Sequence, residues 1–322
     1  MSNKLKLFIL FGLLIVSFML CLQIGAVPLT WSTLTDPSLD AGMSRQIFVE
    51  LRLPRLLLGI LAGASLALCG GLLQDISRNQ LADPYLFGIV AGAAFGATIA
   101  TIWLPNQQIA LPIAAFFGAV LAIGLVIAFV SVNRRNQLEQ LVLAGVAVSF
   151  LLSSLGSALL YMGDAFAANR IMFWLMGSLA RAEMTAVWVI TPVLLLTILI
   201  VVFWRRELAA LHFADNTAKS LGVEVTKVRL GLLLCTAALT AVVVAYCGGI
   251  GFVGLLVPHL IRFWLGNSPL PMLIGSALAG AILLIWVDAT ARTLLPNQEV
   301  PLGVLTSALG SLFFLVLLAR RR

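Results

Sequence analysis

Long apolar runs recur along the chain, separated by short stretches that hold most of its charge. A bilayer core takes about 20 apolar residues of helix. On that measure the pattern predicts spans at about 5–25, 54–74, 84–104, 109–132, 138–161, 186–204, 230–247, 250–265, 271–291 and 301–319. Segments 84–104 and 250–265 are rich in glycine or proline, which leaves their bounds least defined. The first run follows Lys4 and Lys6 but is too long for a signal-peptide core, and no small-x-small cleavage site follows it, so it reads as a retained helix. The expected fold class is an all-α integral membrane protein with ten transmembrane helices, and residues 1–322 read as a single polytopic membrane domain.

Composition sharpens this reading. Of the 322 residues, 61% are apolar and 10% charged. A soluble domain is about a quarter charged, so a soluble enzyme, a nucleic-acid binder and a disordered chain are excluded. The net charge of +7 gains meaning from its placement. With alternating helices and the N-terminus inside, 14 of the 20 Lys and Arg residues fall on the inner side and 6 on the outer. That bias places both termini in the cytoplasm.

Several chemistries are missing. No glycine is followed by lysine, so the chain lacks a phosphate-binding loop and is not expected to hydrolyse ATP. There is no HExxH motif, only two histidines, and the four cysteines lie inside apolar runs without metal-ligand spacing. No cofactor or metal is expected in the chain. Acidic residues sit near span ends. Asp288 comes closest to an exception, but Arg292 lies four residues on, on the same helical face, as a neutralising partner.

Small residues recur at four-residue spacing: Gly59 with Gly63; Gly88, Gly92 and Gly96; Ser307 with Ser311. Such stripes let helix backbones approach in lipid, within one chain or at a subunit interface. Cys69-Gly70-Gly71 recurs as Cys247-Gly248-Gly249, a hint of an inverted repeat. The longest inner connection, about 205–229, holds a compact element. Asp215 is placed to cap a short helix through Thr217, Ala218, Lys219, Ser220 and Leu221, and Gly222 to stop it. This element is either a plain connector or a docking point for a soluble partner.

A set of ordered motifs runs from about residue 45 to the C-terminus. It includes Arg52-Leu53-Pro54-Arg55, Arg78-Asn79 with Leu81-Ala82-Asp83-Pro84, Leu143-Ala144-Gly145-Val146, Met176-Gly177-Ser178-Leu179, Ser220-Leu221-Gly222-Val223, Gly251-Phe252-Val253-Gly254 with Pro258-His259 and Arg262, Ala291-Arg292, and Glu299 with Pro301 and Gly303. In this order the chain resembles the transmembrane permease subunits of bacterial ABC importers for iron-siderophores, haem and cobalamin. It departs from that pattern at Gln80, where the family usually has proline, and at Leu312, where a proline is expected.

The resemblance implies a type II ABC importer permease fold that dimerises with a second, identical permease subunit around a translocation path in the membrane lipid. It implies two ATPase subunits inside and a periplasmic substrate-binding protein outside. The helix from Asp215 to Gly222 then matches the family's coupling helix, which contacts the ATPase. Arg52, Arg55 and Arg292 match positions that meet acidic side chains of the binding protein; the alternatives are headgroup anchoring or pairing with Glu50 and Asp288. Glu139 matches the position of a cytoplasmic gate or is a solvated charge at a helix start. His259 reads as a structural hydrogen-bonder. Competing readings are a secondary transporter without an ATPase, a membrane enzyme of lipid metabolism, and the same permease carrying an oxyanion such as molybdate.

Overall fold

The computed structural model describes residues 2–25, 45–104, 107, 109–132, 137–163, 165–213, 215–296 and 298–320. Within them the protein is helical, apart from an isolated bridge between Leu295 and Gln298. Helix α1 covers Asn3–Gln23, with the Ser2 hydroxyl accepting from the Leu5 N–H at its start. Helix α2, Leu53–Ser77, is led in by a π-helical turn at Ile47–Arg52. Pro54 cannot donate to the carbonyl four residues back, and a continuous α-helix would clash there. The wider turn absorbs that conflict, and Leu53 N–H bonds five residues back, to Phe48.

The remaining helices are α3 (Ile89–Trp103), α4 (Ala110–Val132), α5 (Gln137–Met162), α6 (Ala165–Leu175), α7 (Met184–Phe203), α8 (Arg205–Ala210), α9 (Asp215–Ser220), α10 (Val225–Cys247), α11 (Val253–Leu265), α12 (Pro269–Thr293) and α13 (Leu302–Arg320). Among the described residues, eight helices are long and apolar enough to cross a membrane, and α3 and α11 are shorter apolar helices. These ten correspond to the ten expected spans. The two short ones are the segments rich in glycine and proline. Part of each expected run is spent outside the α-helix: a 3₁₀ turn at Pro84–Phe87 before α3, and irregular backbone over 248–252 before α11.

Helix α2 is the most buried span and lies centrally, packed along α12 with α11 and α10 on its other faces. Its approach to α12 has no side-chain layer at the crossing. A Cβ on Gly63 would lie 2.2 Å from the Gly280 carbonyl oxygen, so the two backbones touch. The stripe in α3 does the same against α4: Gly92 meets the backbone of Gly118, and Gly96 that of Ala114. Gly59 faces Ile285 and Leu179, and Gly88, at φ 76°, lies against Gly145 and Ser149. In lipid, where apolar burial drives little association, such close contact supplies the packing energy.

The paired Cys-Gly-Gly motifs do not share a local structure. Cys69–Gly71 lies inside α2, whereas Cys247 ends α10 and Gly248 takes φ 71°. The breaks around residues 176–178, 247–250 and 301–303 are instead knitted by backbone hydrogen bonds: Ser178 N–H to Cys247 O (2.9 Å), Leu302 N–H to Gly177 O (2.9 Å) and Gly303 N–H to Met176 O (2.9 Å). Tyr85, in the turn before α3, closes this region. Its hydroxyl accepts from the Ile250 N–H and donates to the Ile250 carbonyl, each at 2.8 Å.

Candidate functional site: two ion clusters at opposite ends of the bundle

The end of α1, the start of α2 and the end of α12 meet at one end of the bundle. Arg52 is buried there. Its guanidinium donates to the Leu22 and Gln23 carbonyls (2.9 and 3.1 Å), neutralising the C-terminus of α1. Gly25 permits this, because a Cβ there would lie 2.7 Å from Arg52 Nη2. Arg55 spans two carboxylates: Nε lies 2.9 Å from Asp288 Oδ1, while Nη1 and Nη2 lie 2.7 and 2.8 Å from Glu299. Arg292 completes the cluster, its Nε 3.1 Å from Asp288 Oδ2. Asp288 is fully buried and Glu299 is 42% exposed. Arg55 beside Glu299 holds that carboxyl below its usual range.

The three arginines named from the sequence are therefore brought together, but they do not project as free charges. Each spends its hydrogen bonds inside the chain, and pairing with Asp288, the alternative weighed for this cluster, accounts for Arg55 and Arg292. Glu299 is the more exposed charge here, and it escapes a search for basic residues.

The opposite end gathers the start of α1, the ends of α2 and α11, the start of α10 and the 205–229 connection; Lys6 Nζ donates to the Trp264 carbonyl there. Asp75, buried in the last turn of α2, receives Arg262 Nη2 at 2.8 Å and lies 3.4 Å from His212 Nε2. Three residues on, Arg78 ends α2 in the left-handed conformation, at φ 50°. Its guanidinium donates to the Leu211 carbonyl (2.8 Å), the Phe213 carbonyl and Asp215 (2.7 Å). Arg229 of α10 binds both oxygens of the same Asp215 carboxylate, at 2.8 and 2.9 Å. Flanked by two guanidinium groups, Asp215 titrates below its ordinary range, chiefly through the Arg229 bonds.

Two details of α9 differ from the sequence reading. Asp215 lies in the first helical turn and acts as an anchor to Arg78 and Arg229 instead of a cap. Ala218 is 0% exposed and faces the protein core, so it presents nothing to a partner. The exposed face of this element is Asn216, Thr217, Lys219, Ser220 and Leu221, the last 63% exposed. Gly222 does stop the helix, at φ 82°. Its N–H bonds to Lys219 O, and Val223 N–H bonds to Ala218 O, the reciprocal pair of a Schellman cap.

Glu139 falls in the first turn of α5, and its side chain lies outside the described residues. His259 is buried among the rings of Phe263, Phe313 and Phe314. Helix α6 was not anticipated. Its 11 residues are too few and too polar to read as a span, although Ala167 and Ile171, both buried, carry the helical spacing.

A model of the FecCD transport family matches residues 13–320. The chain is 38% identical over 324 residues to the hemin transport system permease protein HmuU of Yersinia pestis, covering 99% of this chain and 96% of that protein. It is 36% identical to the vitamin B12 import system permease protein BtuC of Vibrio cholerae, covering 97% of this chain and 93% of the other. Among solved structures it superposes with a TM-score of 0.89, at 33% identity over 98% of this chain and 99% of the other, on a chain described as a metal-chelate type ABC transporter in an inward-facing conformation. Fold and matches together define a multi-pass membrane permease with the ABC importer fold. The chain belongs to the FecCD transport family.

Proposed function

We propose that this chain is the membrane permease of an ATP-driven importer that passes a metal chelate, of the haem, cobalamin or ferric-siderophore kind, into the cytoplasm. A separate pair of ATPase subunits binds the α9 end, a second copy of the chain completes the path, and a periplasmic binding protein delivers substrate at the Arg55 end. The observation that carries this reading is α9 itself. It is a short helix held at its start by Asp215 and stopped by Gly222, and it offers Thr217, Ser220 and Leu221 to a partner. No bilayer or internal packing requires that display. Relatives named for haem and vitamin B12 support the substrate class. Arg52, Arg55 and Arg292 form the base of the docking face, and Glu139 stands near the gate.

The test is reconstitution. The chain is co-expressed with a candidate ATPase and binding protein, and ATP-dependent uptake of hemin, cyanocobalamin and ferric dicitrate is measured in proteoliposomes. Uptake of one chelate only with ATP inside the ATPase-accessible compartment is the expected result. Uptake driven by an ion gradient without an ATPase would sink the proposal.

A further inference from the structure

The grip that the last turn of α2 exerts on the approach to α9 is not explained by folding α9 alone. Asp75 reaches His212, and Arg78 reaches Leu211, Phe213 and Asp215, so four of the five residues 211–215 are held from one helix end. Arg78 does this from the left-handed conformation, where glycine is the usual residue and a side chain is strained. Glycine in that place would end the helix without a guanidinium. The planar fork of arginine is what lets one side chain hold two carbonyls and a carboxylate together.

Helix α2 then leads elsewhere. It runs through the centre of the bundle for 25 residues, about 37 Å at 1.5 Å per residue. Close to its far end Arg55 binds Asp288 and Glu299. One rigid element therefore has the α9 approach tied to its last turn and the opposite ion cluster tied to its first.

We propose that Arg78 is a positioning residue for energy coupling: its guanidinium ties the α9 approach to α2, so that displacement of α9 moves the central helix. This rests on the reading that α9 docks an ATPase. Without the tie, the exposed face of α9 still binds the ATPase and hydrolysis continues, but the motion is spent in the 205–229 connection. Asp215 belongs to the same tie, with Arg229 as its second hold on α10.

The experiment uses the reconstituted complex and reads three quantities: ATPase retained, ATP hydrolysed, and substrate moved per ATP, the substrate being whichever of hemin, cyanocobalamin and ferric dicitrate the unmodified complex transports. For Arg78→Ala, which removes three charge-assisted hydrogen bonds, retention stays near the unmodified level while substrate moved per ATP falls at least about tenfold, the scale of losing even one of them. Arg78→Lys keeps the charge but not the fork and falls between the two. Asp215→Asn and the Arg78→Ala/Asp215→Asn double variant show non-additive losses, as partners in one contact do. An unchanged ratio in Arg78→Ala overturns the proposal. So does a loss of ATPase retention parallel to the loss of transport, which would make Arg78 a mere anchor of α9. If Arg78→Ala does not accumulate in the membrane, Arg78→Lys and Asp215→Asn decide by the same criteria. Failure of the unmodified complex to retain an ATPase is a separate result, and it counts against the reading beneath the proposal.

Discussion

Arg55 of α2 and Asp288 of α12 stand 233 residues apart in sequence and meet at 2.9 Å, Asp288 fully buried and Arg55 nearly so. The carboxylate also receives Arg292. One buried anion thus holds two cations that would otherwise repel each other where three helices converge.

Asp288→Ala should therefore destabilise strongly, by about 3–5 kcal/mol, because it leaves two buried guanidinium groups side by side. Glu299→Ala removes a half-exposed partner and should cost about 1 kcal/mol or less. Thermal unfolding of each variant in detergent compares the two. Equal shifts in Tm would contradict the unequal burial on which the argument rests.

Backbone contact between α2 and α12 sets a second expectation. Gly63→Ala would drive its Cβ into the Gly280 carbonyl, and overpacking of this kind costs on the order of 1–3 kcal/mol. Gly12 in α1 has nothing within 4 Å, so Gly12→Ala should be neutral or stabilise by roughly 0.5–1 kcal/mol through helix propensity. The pair is read by Tm and by monodispersity after extraction.

At α9 the two faces should separate. Ala218→Glu places a charge in the core and should lower Tm of the isolated permease. Leu221→Glu lies on the exposed face and should leave Tm unchanged while reducing ATPase retention. Gly222→Ala meets no neighbouring atom but takes on left-handed strain of about 1–2 kcal/mol. Loss of ATPase from Ala218→Glu with an unchanged Tm would show that the assigned faces are reversed.

The hold on Asp215 is also a statement about pH. Its pKa is depressed below the ordinary 3.8 in the folded protein, so the stabilisation is fully present above 3.8 and is lost as pH falls through the lower, folded value. Hydrogen exchange in residues 215–222 should therefore stay flat from neutral pH down to about 4 once corrected for intrinsic rates, then rise. In Asp215→Asn that step should vanish. A step near neutral pH would overturn the assignment to Asp215.

The spans were legible because lipid imposes a simple rule on length and polarity, which α1, α4, α5, α7 and α12 obey. Helices α3 and α11 strained it, since their flanking turns are apolar too, and apolarity alone cannot separate 3₁₀ or irregular backbone from helix. The element at 215–222 was legible through Gly222. The direction Ala218 faces was not, because a helix of six residues carries too little periodicity to mark an inner side. The Asp288–Arg292 pair was legible because it lies four residues apart on one helix face, whereas Arg55 finds its carboxylates 233 and 244 residues away, a separation at which pairing stood only as one alternative to docking. Nothing local to Arg78 points to Asp215.

The Tyr85–Ile250 contact sits where two interrupted helices face each other, and this governs how the interior can deform. Residues outside a helix can rotate without breaking a ladder of i to i−4 hydrogen bonds, so bending concentrates there and the long helices on either side swing as stiff arms. A single phenol bonded to both backbone groups of Ile250 ties the two breaks together. The bundle thus has a joint at its heart, latched by one aromatic side chain and by the backbone bonds that join residues 176–178, 247–250 and 301–303.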